Sequence, residues 1–188
     1  MGTTGVGKIT PRFKTASQTI RSPIAAVRAG AGEELPAILE RYCAAFAMLP
    51  NGLSLFEGPT AHSIEHLGLL TMTMQEALLQ SVAPRPGEPE IISVFPAWPK
   101  AWDASFRLLA RGGFLVSATV QSGRIGPVEI ESRLGEECRL RNPWPNPCRV
   151  ETSAGKHCRN VSVIDEVVRF PTHLGGRYRL LADGRGIE

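Results

Sequence analysis

Glu65 sits in His62-Ser-Ile-Glu-His66, a phrase whose residue types could support a hydrolytic zinc site. On a helix the two histidines, at i and i+4, would share a face and Glu65 could serve a zinc-bound water. A third ligand is required, and Glu88 or Glu90 in the following Pro-rich stretch is the nearest source. The plainer reading is a pair of histidines hydrogen-bonded at a helix start or lining a cleft. Gly2-Thr-Thr-Gly-Val-Gly-Lys8 spells most of a phosphate-binding loop. That chemistry needs a strand before the glycines and a hydroxyl residue after the lysine. Met1 leaves no room for the strand and Ile9 stands where the hydroxyl should be, so nucleotide binding is set aside.

The three tryptophans invite a sugar-stacking reading, because aromatic faces cover the apolar faces of pyranose rings. Trp98 and Trp102 lie in Phe95-Pro-Ala-Trp-Pro-Lys-Ala-Trp102, a proline-locked corner, and packing suits both better. Trp144, in the rigid turn Asn142-Pro-Trp-Pro145, divides evenly between binding and packing. Arg111-Gly-Gly-Phe114 requires only a turn at the glycines and a core phenylalanine. Cys43, Cys138, Cys148 and Cys158 are too few for a disulfide scaffold in 188 residues, and the last three are too widely spaced for a zinc ribbon. They read as thiols first. Asn160-Val-Ser162 fits a glycosylation acceptor, a pattern frequent by accident.

A formal charge of +3 with arginines scattered among acids argues against a nucleic-acid partner. No apolar stretch reaches the roughly 18 residues of a membrane span, so no membrane partner is expected. Residues 1–22 lack the continuous apolar core of a secretion signal, and the sequence leaves the compartment open.

The elements that must position these groups follow from periodicity. Residues 1–22, rich in Gly, Thr and Ser, read as a flexible leader, and 23–83 as a helical segment. Within it Ile24–Val27 is a short helix, and Glu33–Leu49 an amphipathic one with apolar residues at Leu35, Ile38, Leu39, Tyr42, Phe46 and Leu49. Leu53–Phe56 is extended. Ala61–Gln80 is a helix apolar on nearly every side, the mark of burial in a larger assembly. Residues 84–89 form a Pro-rich connector, and from 90 to 188 the texture is β. Strands are expected at Ile91–Phe95, Phe106–Ala110, Phe114–Val120, Pro127–Glu131, Cys138–Arg141, Val161–Ile164, Glu166–Phe170 and Arg177–Leu181. Such short, punctuated strands argue for an antiparallel sandwich, with Gln121-Ser-Gly-Arg124 a hairpin turn.

Four phrases in chain order, Glu76-Ala-Leu-Leu-Gln-Ser81, Phe95-Pro-Ala-Trp-Pro-Lys-Ala-Trp102, Arg111-Gly-Gly-Phe114 and Cys138-Arg-Leu-Arg-Asn-Pro-Trp144, resemble the C-terminal part of the alpha-L-fucosidase-like glycoside hydrolases of family 95. The resemblance runs from Ala25 to Arg149. It implies an α+β fold in which partial (α/α) toroid helices precede an antiparallel β-sandwich. It also implies inverting hydrolysis of a terminal sugar with no metal or organic cofactor. Counting back from Glu76, Ile64-Glu65 falls where the family carries the carboxylate that helps activate water, so Glu65 is the catalytic candidate. The family's Gly-Asn-Phe-Gly-like continuation is His66-Leu-Gly-Leu in this chain. His62, His66, Glu57 and Trp144 are the substrate-binding candidates, and Glu57 is the nearest internal substitute for the family's general acid. That acid lies in earlier helices, so the expectation is a tail of a glycosidase, inactive alone. Carbohydrate is the expected partner, with self-association through an uncovered helical face. The rival readings are a non-catalytic carbohydrate-binding or structural module, and the zinc hydrolase built on His62, Glu65 and His66.

Overall fold

The computed structural model describes residues 22–45, 49–51, 53–55 and 62–183. The Gly-rich phrase 2–8 and Glu57 lie outside the described residues. The described residues begin with two helices, α1 (Ser22–Arg28) and α2 (Leu35–Ala45), the latter with Pro36 in its first turn, where no intrahelical N–H bond is lost. The two-residue strands β1 (Ser54–Leu55) and β2 (His62–Ser63) pair antiparallel, Leu55 opposite His62. Helix α3 (Glu65–Leu78) follows and runs straight into strand β3 (Leu79–Val82).

From there the chain is β: β4 (Ile91–Val94), β5 (Ala104–Ala110), β6 (Phe114–Gln121), β7 (Arg124–Ile125), β8 (Val128–Ser132), β9 (Cys138–Arg141), β10 (Cys148–Thr152), β11 (Ser162–Ile164), β12 (Val167–Phe170) and β13 (Arg177–Ala182). One sheet runs β10-β13-β8-β6-β5 with β7 beside β6, and the other runs β11-β12-β9-β4-β3. Every pairing is antiparallel except β4 with β9, which meet in parallel at Ile92 and Leu140. Alternation along each strand decides which face turns inward. Phe114, Val116 and Ala118 of β6, Val128 and Ile130 of β8, and Tyr178 and Leu180 of β13 meet Ile92, Val94, Cys138, Leu140, Val168 and Phe170 of the opposite sheet in one core. Each fully buried Val, Ile or Phe there contributes about 1.5–3 kcal/mol. The protein is therefore α+β, with a β-sandwich as its main body.

Turn chemistry fixes the registers. Gln121 pairs Arg124 around Ser122 and Gly123, at φ 48° and 72°, the two-positive-φ turn that suits a two-residue hairpin. Gly112 and Gly113 turn β5 into β6 and deliver Phe114 to the core, as the Arg-Gly-Gly-Phe phrase implies. Two expectations need correction. Leu79 and Gln80, assigned from sequence to the end of a helix, begin an edge strand, Leu79–Val82, paired with β4 from Leu79–Val94 to Val82–Ile91. The Pro-rich stretch 84–89 is consequently a hairpin loop inside one sheet, and the change from helix to strand falls at Leu78–Leu79. In the same way His62–Ser63 is strand, and α3 begins three residues after His62, at Glu65. Cys148–Thr152 is a strand that the sequence reading leaves unassigned.

The helices dock on the sandwich through a small second core of Val27, Leu35, Ala77 and Ala97, flanked by Leu39, Met74, Trp98 and Trp102. Arg28 grips Glu76 with two hydrogen bonds, Nη2–Oε1 at 2.8 Å and Nε–Oε2 at 3.1 Å, tying α1 to α3. Gly32 lies so close to Ala97 that a Cβ there would stand 2.8 Å from the Ala97 carbonyl carbon.

Candidate functional site

Glu65 is the first residue of α3, and its side chain is exposed. Beside it His66 is buried at 1 % exposure, with Nδ1 2.7 Å from the Ser54 hydroxyl, itself fully buried. The His66 ring meets Tyr42 of α2 edge-on, centroids 6.1 Å apart. Three elements thus converge on the first turn of α3: α2 through Tyr42, β1 through Ser54, and the helix itself. Burial holds the imidazole of His66 below its ordinary pKa, against the opposing pull of the Glu65 carboxylate, so it is neutral at pH 7. Burial likewise pushes the Tyr42 phenol up to about 12. A rigid neutral floor therefore carries a solvent-facing carboxylate.

A negative side chain in the first turn of a helix is favourably placed against the dipole. A second carboxylate cannot come from the same helix. Glu76, the other acid of α3, lies eleven residues on, which at the usual rise is about 16 Å along the axis. Inverting hydrolysis places its two carboxyl groups about 6.5–9.5 Å apart.

The structure does not bring all the candidates together. His62 precedes the helix on β2, so it lacks the one-face i, i+4 relation to His66 that the zinc reading requires. His66 Nδ1 is engaged with Ser54, and among the described residues no group of three or more His, Cys, Asp or Glu gathers to hold a metal ion. Trp144 belongs to the sandwich. Its ring packs half-buried on the core, and its Nε1–H donates to the Ile125 carbonyl at 2.9 Å. Asn142 braces that turn by accepting the Trp144 N–H at 3.2 Å and donating to the Asn146 carbonyl at 2.9 Å. Trp98 and Trp102 stack edge-on with centroids 5.6 Å apart, and Trp98 Nε1–H donates to the Trp102 carbonyl at 3.0 Å. The cysteines are free thiols; Cys138 is sealed in the core, which raises its pKa, and burial pushes Cys148 up to about 11.

Among the concavities of the described surface are three that Glu65 does not line. One, about 830 Å³, runs along the C-terminal half of α3, β3 and β5 and carries Arg28, Arg85 and Arg111 with Glu76 and Glu90. Another, about 590 Å³, lies on the outer face of the larger sheet, among Arg107, Glu129, Glu131, Arg177 and Arg179. The sequence reading passed over this second cluster, although Val128-Glu-Ile-Glu131 and Arg177-Tyr-Arg179 carry its signal: charges two apart on strands share the solvent face. No described helix is long and apolar enough to cross a membrane.

The four phrases singled out in the sequence meet at one junction. Arg111 N–H donates to the Ser81 hydroxyl at 3.0 Å, Phe95 N–H to the Leu78 carbonyl at 2.7 Å, and Gln80 Nε2 to the Val27 carbonyl at 3.2 Å. Cys138 and Leu140 fill the core beneath. Residues 87–180 match the family described as glycoside hydrolase family 95, C-terminal domain, and the chain belongs to that family. No curated protein matches it.

Proposed function

We propose that Glu65 is the water-side carboxylate of an inverting, alpha-L-fucosidase-like glycosidase site, and that α1–α3 are closing helices of an (α/α) toroid whose remaining helices supply the general acid. The observation that carries this reading is the exposed Glu65 carboxylate on a buried floor built by His66, Ser54 and Tyr42. In the reaction the ionised Glu65 takes a proton from water as that water attacks the anomeric carbon. A protonated carboxyl on the opposite face gives its proton to the leaving oxygen, and the configuration inverts. The spacing on α3 supports a partner acid from another element, because Glu76 is too distant along the helix. Glu57 is the internal candidate for that partner.

The test compares two preparations on aryl alpha-L-fucoside and aryl galactosides. One is this chain alone, the other a fusion placing a family-95 toroid region ahead of Ser22. The reading expects no turnover by the chain alone and turnover by the fusion, with the inverted anomer as first product in proton NMR. Turnover by the chain alone, or a retained anomer, contradicts it.

A second reading, a non-catalytic carbohydrate-binding module, is favoured by the size of the sandwich relative to the helices. Binding of a neutral oligosaccharide unaffected by Glu65→Gln would support it.

A further inference from the structure

The larger sheet turns a charged face to solvent that the glycosidase reading does not use. Consecutive partners across four strands, Arg107, Ser117, Glu129 and Arg179, form one row. Leu115, Glu131 and Arg177 form the next. At the usual interstrand spacing the first row spans about 14 Å. A concavity of about 590 Å³ lies over these rows.

Glu131 is its centre. Three guanidinium groups approach that one carboxylate: Arg107 Nη2 at 3.3 Å, Arg177 Nη2 at 3.6 Å and Arg133 Nε at 3.7 Å. Only the Arg107 contact is within hydrogen-bonding range. The Glu131 side chain is 25 % exposed and those of Arg107 and Arg177 are 63 % and 68 %. The acid therefore forms the floor and the cations the rim. Arg179, 3.7 Å from Glu129, extends the rim along β13. Each guanidinium carries five donors in a planar fork, and one shared carboxylate cannot occupy them all.

We infer that this face binds an acidic polysaccharide, a chain of sugars bearing one carboxylate per residue or per few residues. The rim arginines suit carboxylates, which guanidinium forks engage in pairs. The acids discriminate: Glu131 and Ser117 on the floor, with Glu129 at 61 % exposure on the rim, accept or exchange hydrogen bonds with sugar hydroxyls, and the two glutamates repel a densely charged phosphate polymer. Tyr178 is the aromatic residue of the lining, and it is buried in the sandwich core, so its ring is not offered for nucleobase stacking. This inference is independent of the role given to Glu65.

Affinity electrophoresis and calorimetry with sodium polygalacturonate, beside neutral dextran and inorganic polyphosphate in about 0.15 M salt, test it on the whole chain. The expected result is binding to polygalacturonate and none to dextran. The double variant Arg107→Gln/Arg177→Gln should weaken that binding about tenfold or more, the size expected for lost charge-assisted hydrogen bonds. Arg85→Gln, outside this face, should leave it unchanged. Should the double variant fail to fold, Arg179→Gln takes its place, and undiminished binding counts against the inference. Absence of binding to polygalacturonate, equal binding by the variants, or tighter binding to polyphosphate overturns it.

Discussion

At the scale of single residues, the hydrogen bond between Ser54 and His66 holds the first turn of α3. Both groups are buried, so removing one partner is costly. Ser54→Ala should destabilise the protein by about 1–3 kcal/mol, read as a lower urea midpoint. His66 also gives the fold a dependence on pH. Its folded pKa lies below the ordinary 6.5, because burial penalises the imidazolium. Above 6.5 both folded and unfolded chains carry the neutral ring and the contribution is complete. As the pH falls from 6.5 through the folded value, the unfolded chain takes up the proton first and stability is lost. His66→Gln should flatten this part of the stability profile; an unchanged slope between pH 7 and the acid limb would assign it elsewhere. The sequence alone singled out Glu65 and His66, but it could not separate their environments. One faces water and the other is buried because β1, distant from α3 in the chain's local pattern, brings Ser54 against the ring. The burial of His66 is a tertiary fact with no local signature.

At the scale of elements, most strands after residue 90, Cys148–Thr152 excepted, were legible because alternation and glycine punctuation are strong there: Phe114, Val116, Ala118 and Val120 mark one face of β6 without ambiguity. The β3 strand was not. Leu79-Gln-Ser-Val82 continues an apolar helical run with no breaker, and strand formation there comes from the ladder with β4, a contact that local propensity does not contain. The same holds for β2, where pairing with β1 withdraws His62 and Ser63 from the helix. The junction between helices and sandwich depends on a close approach at Gly32. Because backbone of Ala97 sits where a Cβ would go, Gly32→Ala should force the α1–α2 turn away from the Phe95–Trp102 corner and cost about 1–3 kcal/mol. Circular dichroism should then show helical signal melting ahead of the β signal. A single transition at the native temperature would mean the junction yields without loss.

At the scale of the molecule, a well-filled sandwich carries a thin helical layer. α3 buries His66, Thr73 and Ala77, while Met74 and Leu78 pack against the chain's own two cores. Met72 remains 47 % exposed and Ile64 66 %, with Val82 and Leu109 exposed beside the long groove. An apolar surface of this kind predicts strong binding of a hydrophobic dye and concentration-dependent association in sedimentation; a monomer without dye binding would show that the layer is sufficient as it stands. The all-round apolar character of Ala61–Gln80 is the sequence basis of that expectation, and of α3 itself Met72 is the large apolar side chain left exposed. The partner acid proposed for Glu65 was not legible, because α3 offers no second carboxylate within reach and Glu57 lies outside the described residues. The measurement that bears most directly on the central claim is therefore turnover of an aryl alpha-L-fucoside by the toroid fusion, comparing the native carboxylate with Glu65→Gln. General-base catalysis is worth about 10²–10⁴-fold, so kcat should fall by that order with KM little changed. An unchanged kcat, or a loss confined to KM, would remove Glu65 from the water side of the reaction.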